Sequence, residues 1–334
     1  MEESVKAMFE KYIERSDLRP ASVDIKWRAC RFFLKWFGHP GKDPDGEVQY
    51  DLPVREVTQP MAADFRTMLG RGRKKSAVNG YLNNFRAFWS WMRRQGYITV
   101  DPFAYIGPVK LEEEPPRETF TAAELSRIMA VADPLEKLQV MIGLLGCRRG
   151  EMQSIQVRNV HLDAEEPHIR ICAKEDTKTT LAWGAKSHRW RPIPLPAAMA
   201  FNGRIEPMRK LVVERISELH GEPEAYLCVD SRHIKRRLGR ERTWNDLRDL
   251  EGNAPRSFRG LQLRAGIREP RRFHELRSAF TTAMLDAGID SARVAELVGH
   301  ASVNQTRKYD RKNRLSLVAE AARVASNTYV SKVS

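Results

Sequence analysis

The feature that most constrains this chain is a break in its patterning between residues 107 and 120. Gly107-Pro-Val-Lys-Leu-Glu-Glu-Glu-Pro-Pro-Arg-Glu-Thr-Phe120 sets an acidic run against paired prolines. Proline lacks a backbone N–H and disfavours helix in the residue before it, so the stretch reads as a linker. Directly after it, Thr121-Ala-Ala-Glu124 has the spacing of a capping box, in which the Thr121 hydroxyl takes the Glu124 N–H and Glu124 reaches back. A helix, and with it a second domain, is expected to start at 121. Cutting a 334-residue chain there leaves two domains of ordinary size, 1–106 and 121–334, joined by the linker 107–120.

The two parts are patterned differently. Across 1–106 apolar residues recur at helical spacing, as in Trp27, Cys30, Phe33, Leu34 and Phe37, and again in Tyr81, Phe85, Phe88, Trp89 and Met92; strand-like alternation is not evident. Beyond 121 the pattern is mixed. Helices are expected at about 121–132 and 134–146. Strand-like runs follow at His168-Ile-Arg-Ile-Cys172 and Arg189-Trp-Arg-Pro-Ile-Pro194, which predict a hairpin or small sheet, and helices are expected to return from about 198. The fold class is therefore mainly α with a small β-sheet (α+β) in the second domain.

The chain carries a formal net charge of +14, with 57 Lys and Arg against 43 Asp and Glu. A surplus of that size favours a polyanionic partner, because Lys and Arg displace counterions condensed on phosphates. The basic turn Gly70-Arg71-Gly72-Arg73-Lys74-Lys75-Ser76, opening a helix, is a candidate phosphate contact through Arg71, Arg73, Lys74 and Lys75, although a solvated basic loop would read the same. Arg232, Lys235, Arg236, Arg237 and Arg240 offer a second basic run with the same two readings. The four cysteines, Cys30, Cys147, Cys172 and Cys228, fall at no metal-ligand or CxxC spacing, which argues for a reducing compartment and against a zinc site or disulfide framework. With a charged N-terminus and no apolar run of about 18 residues, a cytoplasmic location without membrane contact is expected.

Five stretches of the second domain carry polar groups that a core does not require. Arg148 emerges from the apolar run Met141–Cys147, which is costly unless it meets an anion, and Glu151 three residues on could orient it. Lys186 precedes the second strand-like run, with Lys178 as a rival in the same hairpin. His274 and Arg277, three apart, share one helix face. His300 follows Gly299, a C-cap signal, at the end of Val294, Leu297 and Val298. Tyr309 lies among Arg307, Lys308, Asp310, Arg311 and Lys312, cations that favour a phenolate. Each alone is also what an ordinary ion pair, helix end or surface tyrosine presents. Together they suit attack on a phosphodiester: planar guanidiniums grip phosphate oxygens in pairs, His and Arg donors meet the charge that develops, a lysine ammonium protonates a leaving oxygen, and the side chains carry the positive charge a metal would bring.

This order of motifs resembles the tyrosine recombinase (phage integrase) family. Gly146-Cys147-Arg148-Arg149-Gly150-Glu151-Met152 resembles that family's Gly-Leu-Arg-x-x-Glu-Leu box, His274-Glu275-Leu276-Arg277 its His-x-x-Arg box, and Leu297-Val298-Gly299-His300 its Leu-Leu-Gly-His segment, with Tyr309 in the place of the closing tyrosine. Cys147, Met152 and Val298 depart from the commoner residues but stay apolar. The resemblance implies a two-domain clamp on double-stranded DNA, with a helical SAM-like core-binding domain at 1–106 and an integrase-type catalytic domain from 121. Arg148 and Arg277 would clamp the scissile phosphate, His274 would assist proton transfer from Tyr309, and His300 would donate to a nonbridging oxygen. Lys186 would protonate the 5′ oxygen, Tyr309 would form a 3′-phosphotyrosine, and Glu151 would brace the first box. It further implies no cofactor, ATP or metal, and a homo-tetramer on two DNA sites, with the apolar tail 316–334 docking on a neighbour or on its own domain. A type IB topoisomerase, or a DNA-binding relative without catalysis, would share many of these residues.

Overall fold

The computed structural model describes residues 3–16, 20–42, 48–112, 119–184, 190–230, 234, 257–300 and 302–307. The chain divides into two compact units, Met1–Glu114 and Pro115–Ser334.

The first unit is built from α1 (Val5–Glu14), α2 (Pro20–Phe37), α3 (Gln59–Gly70) and α4 (Lys75–Arg94). In α4, Val78, Leu82, Phe85, Phe88, Trp89 and Met92 are buried, which is the 3.6-residue repeat of an amphipathic helix. Those side chains meet Phe9, Phe33, Phe65 and Phe103 in an aromatic core, with ring centroids 4.8 Å apart for Phe33 and Phe85 and 5.2 Å for Phe85 and Phe103. Between α2 and α3 lies an antiparallel ribbon of β1 (His39–Lys42) and β2 (Val48–Asp51), pairing His39 with Asp51 and Lys42 with Val48. The sequence pattern gives no sign of it, because His-Pro-Gly-Lys offers neither β-branched residues nor alternation. Val5 N–H closes onto Leu52 O at 2.8 Å, tying α1 to the end of this ribbon.

In the second unit α5 (Ala122–Val131) and α6 (Pro134–Leu144) each start on a complete capping box, Thr121 with Glu124 and Asp133 with Glu136. A short α7 (Arg149–Ser154) follows. Then come β3 (Val160–His161), β4 (His168–Ile171) and β5 (Arg191–Pro194), an antiparallel sheet in which Ile169 faces Ile193 and Ile171 faces Arg191. The expected small sheet is therefore present. Helix does not resume at 198: β6 (Met199–Phe201) and β7 (Arg204–Glu206) form a hairpin closed by Asn202 and Gly203, both at positive φ (48° and 86°). Asn-Gly is a strong two-residue hairpin signal, and three-residue arms are too short to show alternation. Helices return in α8 (Met208–Glu218), α9 (257–264), α10 (His274–Asp286), α11 (Ser291–Val298) and α12 (Val303–Arg307).

The architecture is thus mainly helical with small antiparallel sheets. The second core runs from Ile128, Met141 and Ile142 through Ile169 and Ile193 to Phe273 and Leu276. Gly143 sets the approach of α10 to α6: a Cβ there would fall 2.8 Å from Leu276 Cδ1 and 2.9 Å from Phe273 Cζ. Among the described residues no helix is long and apolar enough to cross a membrane. Lys186, Tyr309, the basic run 232–240, the middle of the linker (113–118) and the tail 316–334 lie outside the described residues.

Candidate functional site

Four segments of the second unit converge on one cluster of charge. The turn between α6 and α7 supplies Arg148 and Glu151, β5 supplies Arg191, α10 supplies Arg277, and the end of α11 supplies the Gly299 carbonyl and His300. Glu151 is the anionic hub. It is 3% exposed and accepts from the Arg148 backbone N–H (2.7 Å), from Arg148 Nη1 (2.7 Å) and from Arg191 Nη2, with Arg277 Nη1 at 3.9 Å. Burial works to raise the Glu151 carboxyl pKa, but the Arg191 and Arg148 charges and the hydrogen bonds outweigh it and hold the group below the usual carboxylate range.

Arg148 is the N-cap of α7 and also donates from Nη2 to Gly299 O at 2.6 Å. Arg277 is 1% exposed on the buried face of α10, beside Leu276 and Phe280. Its Nη1 donates to Gly146 O at 2.7 Å. Its Nε and Nη2, the side-on fork of the guanidinium, are buried and have no hydrogen-bond partner among the described residues. An unmade hydrogen bond of a buried donor costs roughly 1–3 kcal/mol, and more when the group is charged. Burial, then the Arg148 and Arg191 charges, pull the Arg277 pKa down to about 9, which leaves the group cationic at neutral pH. Three guanidiniums thus share one carboxylate, leaving an excess of positive charge and an unused donor fork, a demand for an oxyanion.

Two glycines make the cluster geometrically possible. Gly146 sits at φ +86°, where any Cβ would lie 2.7 Å from Phe280 Cδ1. Its carbonyl accepts from Arg277 and, at 3.1 Å, from Arg191 Nη2. Gly299 is the left-handed C-cap of α11, at φ +69°, and turns the chain so that its carbonyl faces Arg148 and His300 follows. Burial, followed by the charges of Arg277, Arg148, His274 and Arg191, pushes the half-buried His300 down to about 4, so its imidazole is neutral at pH 7. His300 Nδ1 lies 2.8 Å from the fully buried Thr306 hydroxyl on α12. A hydroxyl donating to Nδ1 leaves the imidazole proton on Nε2. His274 opens α10 and is exposed, close enough to His300 to act on its charge.

Of the residues singled out from the sequence, Arg148, Glu151, His274, Arg277 and His300 come together. The sequence reading missed Arg191 and Thr306. Arg191 reads as an inward-facing strand position next to Pro192, and Thr306 as a helix polar residue; their partners are defined only by the fold. Lys178 is exposed in the loop after β4. Lys174, which drew no notice as sequence, is buried there, its backbone paired with Trp183 (2.8 and 3.0 Å), and burial pulls its ammonium down to about 8. In the first unit, Arg71, Lys74 and Lys75 are exposed, Lys75 pairing with Glu112. Arg73 instead lies over the rings of Phe32 (4.9 Å), Trp36 (5.8 Å) and Tyr81 (5.9 Å), a cation–π seat for the turn.

Residues 118–315 match the phage integrase family. Among curated relatives, tyrosine recombinase XerC 2 of Ralstonia nicotianae is 28% identical over 295 residues, covering 84% of this chain and 74% of the relative. Among solved structures, the Tn1549 transposon integrase in complex with transposon right end DNA superposes with a TM-score of 0.68 at 17% identity, over 97% of this chain and all of that one. A lambda integrase tetramer bound to a Holliday junction gives 0.61 at 16% identity, over 93% and 78% of the two chains.

Proposed function

The chain belongs to the phage integrase family and is a tyrosine-type site-specific DNA recombinase, and from that premise we propose which of its side chains carry the reaction. Arg148 and Arg277 grip the nonbridging oxygens of the scissile phosphate. The observation that carries this assignment is the Nε–Nη2 fork of Arg277, buried and without a hydrogen-bond partner among the described residues, in a cluster whose cations outnumber its one carboxylate. A phosphate oxygen would satisfy both donors and offset the charge. Charge on those oxygens grows toward the transition state, so donors already fixed by Gly146 O, Gly299 O and Glu151 stabilise it more than the ground state.

His300, neutral and held by Thr306, donates a hydrogen bond to the same phosphate without adding a full charge. His274, at the exposed start of α10, takes the proton from the attacking phenol. The nucleophile is Tyr309, two residues past the end of α12, whose Thr306 is anchored to His300. Attack forms a 3′-phosphotyrosine and expels the 5′ oxygen, which Lys186 protonates. A 5′ hydroxyl then attacks the phosphotyrosine by the reverse path, returning its proton to Lys186 while the departing Tyr309 phenolate regains one from His274; the phosphotyrosyl bond conserves the energy of the broken ester, so no ATP is required.

DNA is the partner. Residues 1–106 form the core-binding domain, 107–120 the linker and 121–334 the catalytic domain with its tail; Arg71, Lys74 and Lys75 contact backbone phosphates, with Arg73 seating their turn on its aromatic rings. The working assembly is a tetramer on two DNA sites. The test uses a nicked suicide duplex bearing a site that the wild-type protein has selected from random-sequence DNA. A denaturant-resistant protein–DNA adduct that forms in EDTA is expected. Supercoil relaxation without any specific site would point instead to a topoisomerase, and binding without an adduct to an inactive relative.

A further inference from the structure

We propose that Arg191 is a positioning residue of this site: it holds the C-terminal end of α11 against the Gly146–Glu151 turn, so that Arg148 and His300 face one phosphate. The inference rests on the phosphate-site reading above. It concerns a residue of β5, in the strand-like run that follows Lys186, to which the sequence alone assigns no role.

The geometry is that of a three-way clip. From β5, Nη1 donates to Leu297 O, in the last turn of α11, at 2.9 Å. Nη2 donates to Gly146 O at 3.1 Å and to the Glu151 carboxylate. Three segments far apart in the chain are fastened by one planar group: Leu297 lies 106 residues from Arg191, Gly146 45 and Glu151 40. Both Nη groups of Arg191 are bonded within the protein, leaving its single buried Nε without a partner among the described residues, whereas Arg277 keeps a two-donor Nε–Nη2 fork; of the two, Arg191 is the brace.

What it braces is the site itself. The peptide after Leu297 leads to Gly299, whose carbonyl takes Arg148, and then to His300. Gly146 O and Glu151 are also the partners that orient Arg277 and Arg148. Gly299 is fitted to the clip, since a Cβ at that position would lie 3.0 Å from Arg191 Cδ and 3.6 Å from Arg148 Nη1. A lysine cannot reproduce this arrangement, because one ammonium does not span two carbonyls and a carboxylate in a plane. Misplacing a reacting group by about 1 Å can cost on the order of 100-fold in rate.

The test measures Arg191→Lys, Arg191→Met and Gly299→Ala against wild type. Equilibrium binding to the selected duplex reports affinity. The single-turnover rate of adduct formation, with protein saturating, reports chemistry. Expected is a rate roughly 100-fold down in all three, with affinity within about threefold of wild type and no rescue by lysine. If Arg191→Met does not unfold cooperatively, Arg191→Lys and Gly299→Ala carry the test. A rate for Arg191→Lys within threefold of wild type, or an affinity that falls in step with the rate, overturns the proposal while leaving the phosphate site intact. A wild-type protein that forms no adduct overturns both.

Discussion

Replacing Glu151 by Gln would test the charge arithmetic of the site. The change keeps volume and one accepting oxygen but removes the only carboxylate bonded to Arg148 and Arg191 among the described residues, in a place where Glu151 is 3% exposed and Arg191 and Arg277 have side chains 7% and 2% exposed. Removing one partner of a buried ion pair costs about 3–5 kcal/mol, because the surviving charge stays buried. Retained shape argues for the lower end. At roughly 2–4 °C per kcal/mol for a domain of about 200 residues, ~3 kcal/mol lowers Tm by about 6–12 °C. Glu214→Gln is the control: its pair with Lys210, at 3.8 Å, is exposed, and surface pairs contribute about 0–1 kcal/mol. Thermal unfolding by differential scanning calorimetry measures both. Added inorganic phosphate should restore more of the lost Tm in Glu151→Gln than it adds to wild type, since an anion that binds only the native state stabilises it by mass action. A Tm within about 2 °C of wild type, or no differential response to phosphate, would refute the idea that one carboxylate neutralises a cluster of three guanidiniums.

The remaining predictions concern the titrating and proton-donating groups. His300 is held at about 4 in the folded chain against about 6.5 unfolded, so between those values the unfolded state binds the extra proton; the stability His300 contributes is present above about pH 6.5 and lost as pH falls toward 4. Unfolding midpoints across that window should slope less in His300→Gln than in wild type, and equal slopes would contradict the depressed pKa. Lys186→Ala should slow single-turnover cleavage far more than Lys178→Ala, with a duplex carrying a 5′-bridging phosphorothiolate, whose thiolate leaves without a proton, restoring the rate of the Lys186 variant alone; the opposite ranking would reassign the general acid.

Much of this was legible in the sequence where the signal is local. The capping box that starts α5, the glycine that ends α11 and the amphipathic repeat of α4 each depend on residues within a few positions of one another, and backbone chemistry dictates them directly. The first box also carried its own explanation, since Arg148 and Glu151 are one helical turn apart and bond each other. Short elements escaped. The β6–β7 hairpin announces itself only through Asn202-Gly203, and β1 is formed by His-Pro-Gly-Lys, whose pairing is set by its partner strand rather than by propensity. Arg191 and Thr306 escaped for a different reason. An arginine facing inward from a strand, or a threonine near a helix end, acquires meaning only when tertiary packing brings Leu297 O or His300 to it, and no local spacing encodes that approach.

If the cluster holds a phosphate under attack by Tyr309, the trapped protein–DNA adduct carries its nucleotide on that tyrosine, which mass spectrometry reads. After digestion of protein and DNA, a nucleotide-bearing phosphotyrosine is expected on the peptide containing Tyr309, and is expected to disappear, with DNA binding preserved, in Tyr309→Phe. A nucleotide found on any other residue, or an adduct that persists in Tyr309→Phe, would contradict it.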